Sequence, residues 1–98
     1  MTLDLGFLFG MTDDTQRRTV AINHPLADTA SVIWGPGTHS DDGTREIAFF
    51  KDGDWVIDMP EFKNYADGDY TGSMVFNYVP LEVLMPWLDH YAVGEYSI

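Results

Sequence analysis

Apolar and polar residues alternate with a period of two along most of this chain, and the pattern changes to a helical period once, near the C-terminal end. The sharpest alternation spans residues 44–59, TREIAFFKDGDWVIDM. Asp52-Gly53 at its centre suits a two-residue hairpin loop, because both loop residues then need φ > 0. The turn sets Lys51 opposite Asp54, Phe50 opposite Trp55, Phe49 opposite Val56, Ala48 opposite Ile57 and Ile47 opposite Asp58. Ala48, Phe50, Trp55, Ile57 and Met59 share one face; Ile47, Phe49, Lys51, Asp54, Val56 and Asp58 share the other. The larger aromatics assign the Phe50–Trp55 face to the core. That leaves Phe49, set between charged ends, free for a partner.

The remaining elements follow from punctuation and period. Residues 3–9 read as a short edge strand and 17–22 (RRTVAI) as a second strand, ended by Asn23-His24-Pro25. Residues 31–34 (SVIW) form a third, broken by Gly35-Pro36-Gly37 and an exposed loop to Gly43. After the hairpin, Pro60 ends the strand and residues 61–69 hold at most a helical turn before Asp67-Gly68-Asp69. The last strand is 72–79, with Met74, Phe76 and Tyr78 on one face and Ser73, Val75, Asn77 and Val79 on the other. Pro80 then takes the first position of a helix over 80–92. Leu81, Leu84, Met85, Leu88 and Tyr91 or Ala92 form its apolar stripe, with Glu82, Pro86, Asp89 and His90 opposite. The expected fold is α+β: an antiparallel sheet of about five strands around the 44–59 hairpin, with one C-terminal helix packed on one face. Residues 1–98 make one domain.

Charge narrows the function more than length does. Sixteen Asp and Glu stand against five Lys and Arg, a net charge of −11. Direct binding to nucleic acid needs a basic footprint, and binding to anionic lipid needs the same, so neither is expected. A field of this sign favours a basic partner. High charge also keeps a small protein soluble, and twelve Asp against two Lys is a composition that suits a salt-loaded cytoplasm. The absence of cysteine removes disulfides and thiolate metal sites. Residues 1–11 have no basic stretch and carry Asp4, which fits a strand better than a signal peptide. A cytoplasmic, soluble protein is the expectation.

Candidate catalytic groups do not assemble into a motif. His24, His39 and His90 are far apart in sequence and fit no H-x-x-x-H or H-E-x-x-H pattern. Gly37-Thr38-His39-Ser40-Asp41 resembles the G-T-H-x-D core of the metal-dependent cyclase and formamidase family, a resemblance that implies His39 and Asp41 as metal ligands. The first His of that family's motif is Gly35 here and its Pro is Gly43. Asp67-Gly68-Asp69-Tyr70-Thr71 is similar to the D-x-D-x-T string of haloacid dehalogenase-type phosphatases, but that string closes a buried parallel strand, which Lys63-Asn64-Tyr65-Ala66 is not. Asp and Gly at these turns are explained by turn chemistry. No catalytic, cofactor or metal residue is assigned, and the chain reads as a non-enzyme.

The acids are concentrated. Six of them (Asp52, Asp54, Asp58, Glu61, Asp67, Asp69) lie between Lys51 and Thr71, and no basic residue follows Lys63. Asp54 and Asp58 would be about 13 Å apart on one strand. With Asp52, Asp67 and Asp69 they make an acidic ridge, in which Phe49, Tyr65 and Tyr70 supply aromatic contact. Carboxylates so arranged can occupy Arg and Lys sites that hold phosphates. In bulk properties the chain resembles the phage anti-defence inhibitors, anti-CRISPR and anti-restriction proteins among them, and the immunity proteins of nuclease toxins. The resemblance implies a non-catalytic inhibitor that blocks a basic nucleic-acid-binding protein or nuclease, in some cases as a nucleic-acid mimic. The alternatives are a small virion or scaffold component that assembles through its apolar face, and a metal-dependent hydrolase built on His39 and Asp41.

Overall fold

Two residues with left-handed backbone, Asp52 at φ 53° and Gly53 at φ 86°, close the central hairpin. In the computed structural model, which describes residues 15–66 and 75–98, this turn joins β-strands Thr44–Lys51 and Asp54–Val56 in the expected register: Phe49↔Val56, Phe50↔Trp55 and Lys51↔Asp54. Numbered along the chain, the strands are β1 (Gln16–Ala21), β2 (Thr29–Trp34), β3 (Thr44–Lys51), β4 (Asp54–Val56) and β5 (Phe76–Pro80); a 3₁₀ helix (Pro60–Tyr65) follows β4 and a helix α1 (Leu81–Tyr91) follows β5. All pairings are antiparallel, so the fold is α+β as expected. The edge strand expected over residues 3–9, the Asp67–Asp69 turn and the start of the strand expected from residue 72 lie outside the described residues.

β3 is the hub. β2 lies along one edge, from Thr29↔Phe50 to Ile33↔Glu46, and β1 continues outward from β2. The other edge is shared: β4 pairs with residues 49–51 and β5 with residues 44–47. This sharing corrects the expected length of the hairpin. Ile47 pairs with Phe76 rather than Asp58, so the chain leaves the ladder after Val56. Met59 then turns fully inward and precedes the 3₁₀ helix.

The buried face is the reverse of the one expected. Ile47 and Phe49 are fully buried, whereas Trp55 is 50% and Ile57 40% exposed. The reason lies in the rows that the register builds across the sheet. Val20, Ala30, Phe49 and Val56 form one cross-strand row, and Arg18, Val32, Ile47 and Phe76 form the next on the same face, with Arg18 at its outer end. The opposite face interleaves polar residues: Ala21, Thr29, Phe50 and Trp55 in one row, Thr19, Ser31 and Ala48 in the next, Arg17, Ile33 and Glu46 in the third. The face that is apolar through its central strands gains most from burial. Phe49 becomes the centre of an aromatic cluster, its ring centroid 5.3 Å from Phe62, 5.7 Å from Phe76 and 5.4 Å from Trp87.

β5 carries a bulge, since Arg45↔Val79 and Ile47↔Phe76 set two residues of β3 against three of β5. Tyr78 absorbs it with φ 50° and points outward, 49% exposed, while Phe76 and Val79 are both buried. The expected alternation, with Phe76 and Tyr78 together and Val79 opposite, fails for this reason. Pro80 ends the strand, paired with Thr44, and caps α1 in an extended conformation rather than occupying its first turn. The Leu81 N–H donates to Gly43 O at 2.9 Å. Helix α1 buries Leu84 and Leu88, flanked by half-buried Trp87 and Tyr91; Met85, expected in this stripe, is exposed. The end of α1 is strapped to β1 by Asn23 N–H to Tyr91 O and Val93 N–H to Ala21 O, both 2.8 Å. Among the described residues, no helix is long and apolar enough to cross a membrane.

Candidate functional site

The β3–β4 hairpin ends in an exposed tip, and its shape follows from one carboxylate in the preceding strand connection. Asp28 takes the Asp52 N–H on Oδ2 at 2.9 Å and the Thr29 hydroxyl on Oδ1 at 2.8 Å, while its own N–H donates to Phe50 O at 2.8 Å. Asp28 therefore joins the start of β2 to the turn. The Asp52 N–H first, and the Thr29 hydroxyl second, hold its carboxyl below the ordinary value. An anchored, ionised Asp28 adds a fourth carboxylate to Asp52, Asp54 and Asp58, all three of which are exposed.

Trp55 stands on the other face of the hairpin from Asp54, which the register sets opposite Lys51. Its ring packs on Phe50 at a centroid distance of 4.7 Å and an angle of 44°, and it is the most exposed aromatic side chain among the described residues. Ile57 continues the apolar surface. Lys51 is the basic residue of the tip, and strand alternation puts it on the face opposite Trp55.

The sequence-predicted contact residues fall into three groups. Asp52, Asp54 and Asp58 lie together on the exposed tip and the segment after it. Phe49 is corrected: it is fully buried against the 3₁₀ helix and α1, and the exposed aromatic of the hairpin is Trp55, on the other side of the sheet. Asp67, Asp69 and Tyr70 lie outside the described residues. Asp28 was missed; its proximity to the turn follows from the Thr29↔Phe50 pairing, which the sequence does not print.

A second polar cluster sits beneath α1. His24, buried in the connection after β1, places Nε2 2.7 Å from Glu61 Oε2, and the Trp87 indole N–H donates to the same oxygen at 3.3 Å. Its ring packs against Tyr91 at 4.6 Å and Trp87 at 5.5 Å. Burial pushes the Glu61 carboxyl up, but the hydrogen bonds from His24, its own backbone and Trp87 outweigh it, and the net shift is downward. The cluster ties three segments together: the β1–β2 connection through His24, the 3₁₀ helix through Glu61 and α1 through Trp87.

The 35–43 loop uses its polar groups internally. Asp41 Oδ1 accepts from the Gly43 N–H and the Thr44 hydroxyl, both at 3.0 Å, and the Thr38 and Ser40 hydroxyls bond each other at 2.6 Å. His39 faces Glu46, its Nδ1 3.3 Å from Oε1. Among the described residues, no group of three or more His, Asp or Glu is placed to hold a metal ion. The ligand pair implied by the G-T-H-x-D resemblance thus lacks a third donor there.

The arginines lie against other groups of the sheet, although Arg17 and Arg18 remain exposed. Arg45 lies over the Trp34 ring at 4.6 Å, Arg18 at 5.9 Å from the same centroid, and the Arg17 guanidinium donates to Ser31 Oγ at 2.9 Å. Desolvation pulls the Arg45 guanidinium below its ordinary value, opposed by Asp42. All three arginines are thus held on β1 and β3, away from the hairpin tip.

Comparison with protein-family models, with curated proteins and with solved structures gives no match.

Proposed function

We propose that this protein is a non-catalytic binding protein whose acidic hairpin tip occupies the phosphate-binding surface of a basic, nucleic-acid-handling protein. The observation that carries the reading is the tip itself: Asp52, Asp54 and Asp58 are exposed on the hairpin and the segment after it, Asp28 is tied to its turn, and the same hairpin carries an outward-facing Trp55. Carboxylates stand in for phosphates because Arg binds both through paired N–H donors. A solvent-facing indole on the same hairpin has the composition of an interface hot spot. The net charge of −11 steers such a partner over distances longer than any single contact. Phage anti-restriction or anti-CRISPR inhibition and nuclease immunity are the activities that fit this chemistry.

The test is recovery of partners from host lysate at low salt, repeated at high salt, with the wild-type chain beside a D52N/D54N variant. A basic nucleic-acid-binding protein that is held at low salt, released at high salt and lost with the variant supports the reading. A partner whose retention is indifferent to both salt and the variant refutes it. A second reading, assembly into homo-oligomers, draws on the exposed apolar Trp55 and Ile57. Sedimentation separates the two: the inhibitor reading expects a monomer, the assembly reading a stable oligomer abolished by Trp55→Lys.

A further inference from the structure

On the sheet face away from the core, the row Arg17–Ile33–Glu46 sets opposite charges on β1 and β3 with an apolar residue between them. Their main chains are roughly 10 Å apart, two strand spacings. Among the described residues no ion pair joins the two side chains. Arg17 instead leans along the sheet and donates to Ser31 Oγ at 2.9 Å, one bond from a group with five N–H donors. Glu46 accepts the His39 N–H on Oε1 at 2.8 Å, with Oε2 as a second acceptor.

Both side chains line one pocket of about 110 Å³, together with Ser31, Ala48, Phe50 and Trp55. Ser31 and Ala48 are buried and form its floor. Phe50 and Trp55, with ring centroids 4.7 Å apart, make an apolar wall at the end towards the hairpin turn. The volume admits one group of roughly benzene size. The pocket therefore offers a guanidinium, a carboxylate and a hydroxyl beside an apolar hollow large enough for a single side chain.

We propose that this pocket binds a small apolar α-amino acid, with its carboxylate on Arg17, its ammonium on Glu46 and its side chain against Phe50 and Trp55. The site is independent of the carboxylates of the hairpin tip and goes beyond the function proposed above. Charge complementarity selects the zwitterion. An apolar carboxylic acid would satisfy Arg17 but set a second anion beside Glu46, on a chain of net charge −11. An apolar amine would pair with Glu46 and be repelled by Arg17. A purely apolar group would desolvate both charges and pair neither. The amino acid meets both, brings no net charge against the field, and gives Arg17 a carboxylate that paired N–H donors fit.

The probes are L-leucine, isoamylamine, which lacks the carboxylate, and isocaproate, which lacks the ammonium. Each is titrated into the full chain, with the indole N–H resonances of the tryptophans followed by NMR. The expected result is a saturable shift of the Trp55 indole N–H with L-leucine, with Trp87 unmoved. Either analogue should bind about 10- to 100-fold more weakly, the worth of one charge-assisted pair. Arg17→Gln should weaken L-leucine by a similar factor without weakening isoamylamine. Glu46→Gln, which keeps an acceptor for the His39 N–H, should weaken L-leucine without weakening isocaproate. The analogue series uses the wild-type chain, so it decides the matter even where a variant fails to fold. Absence of a saturable shift with L-leucine would overturn the site, as would an affinity for either analogue equal to that for L-leucine. Both of those results would leave the acidic-tip reading intact.

Discussion

His24 Nε2 lies 2.7 Å from Glu61 Oε2, and the other ring nitrogen, Nδ1, accepts the Leu26 N–H at 3.0 Å. A backbone N–H can only donate, so this geometry assigns the imidazole proton to Nε2, directed at Glu61. The pair joins the β1–β2 connection to the 3₁₀ helix beneath α1. The Glu61 carboxyl is held below its ordinary value of 4.5, so its contribution to stability is present above that value and is lost as pH falls through the lowered native one. Glu61→Ala leaves a buried ring N–H unpaired and should cost about 1–3 kcal/mol at neutral pH. It should also flatten the acid limb between about pH 5 and pH 3. Urea denaturation over that range checks both; an acid limb as steep in the variant as in wild type would count against the assignment.

The identity of the core face gives a cleaner contrast. Phe49 is fully buried in contact with Phe62, Phe76 and Trp87, whereas Phe50 lies on the opposite face under an exposed Trp55. Phe49→Ala should cost about 3–5 kcal/mol, the range for emptying a packed aromatic site. Phe50→Ala should cost roughly 1–2 kcal/mol, because much of its surface borders solvent. Denaturant midpoints of the two variants decide it, and the opposite ranking would place the helix on the wrong face.

These two cases also mark what could be read before the structure was known. Asp52-Gly53 dictated the turn and, through it, the pairing of Phe49 with Val56 and Phe50 with Trp55, because an I′ loop has a single register. The hairpin alone points to the wrong face, because within it Phe50 and Trp55 outweigh Phe49 and Val56. The deciding residues are in other strands: Val20, Ala30 and Val32 line up behind Phe49 and Ile47, while Thr19, Thr29 and Ser31 line up behind Ala48 and Phe50. Those residues are visible in the sequence, and assembling β1–β2–β3 as rows would have recovered the face. The bulge at Tyr78 has no such signal, since Phe76, Asn77, Tyr78 and Val79 read as plain alternation. The His24–Glu61 pair joins positions 37 residues apart and depends on the path of α1, so no local pattern announces it. At the tip, Asp52, Asp54 and Asp58 were legible as exposed acids, but the aromatic paired with them was not.

Tyr78 holds a left-handed backbone, φ 50°, with a bulky side chain that is 49% exposed. Such a conformation costs a non-glycine residue roughly 1–2 kcal/mol, and Asn tolerates it better than an aromatic. The Tyr78 N–H, bonded to His39 O at 2.9 Å, is retained by any residue other than proline. Tyr78→Asn should therefore raise stability by about 0.5–1 kcal/mol, seen as a higher denaturant midpoint with an unchanged slope. Gly53, at φ 86° with open space around its α-carbon, gives the converse. Gly53→Ala meets no clash at its β-carbon but should lose about 1–2 kcal/mol from backbone strain alone.

The tip carboxylates should be dispensable for folding. Asp52 and Asp54 are exposed on a chain of net charge −11, where each added negative charge works against the compact state. Asp52→Asn keeps a residue suited to left-handed backbone beside Gly53, and the bond from its N–H to Asp28 belongs to the main chain. The D52N/D54N variant should hold wild-type stability within about 0.5 kcal/mol, or gain slightly at low salt, with any gain removed by salt. Measured beside it, association with a basic partner should slow by about tenfold at low salt and converge with wild type as salt rises. A variant that loses several kcal/mol would show that these acids serve the fold; one that folds normally and binds slowly would show that they serve the partner.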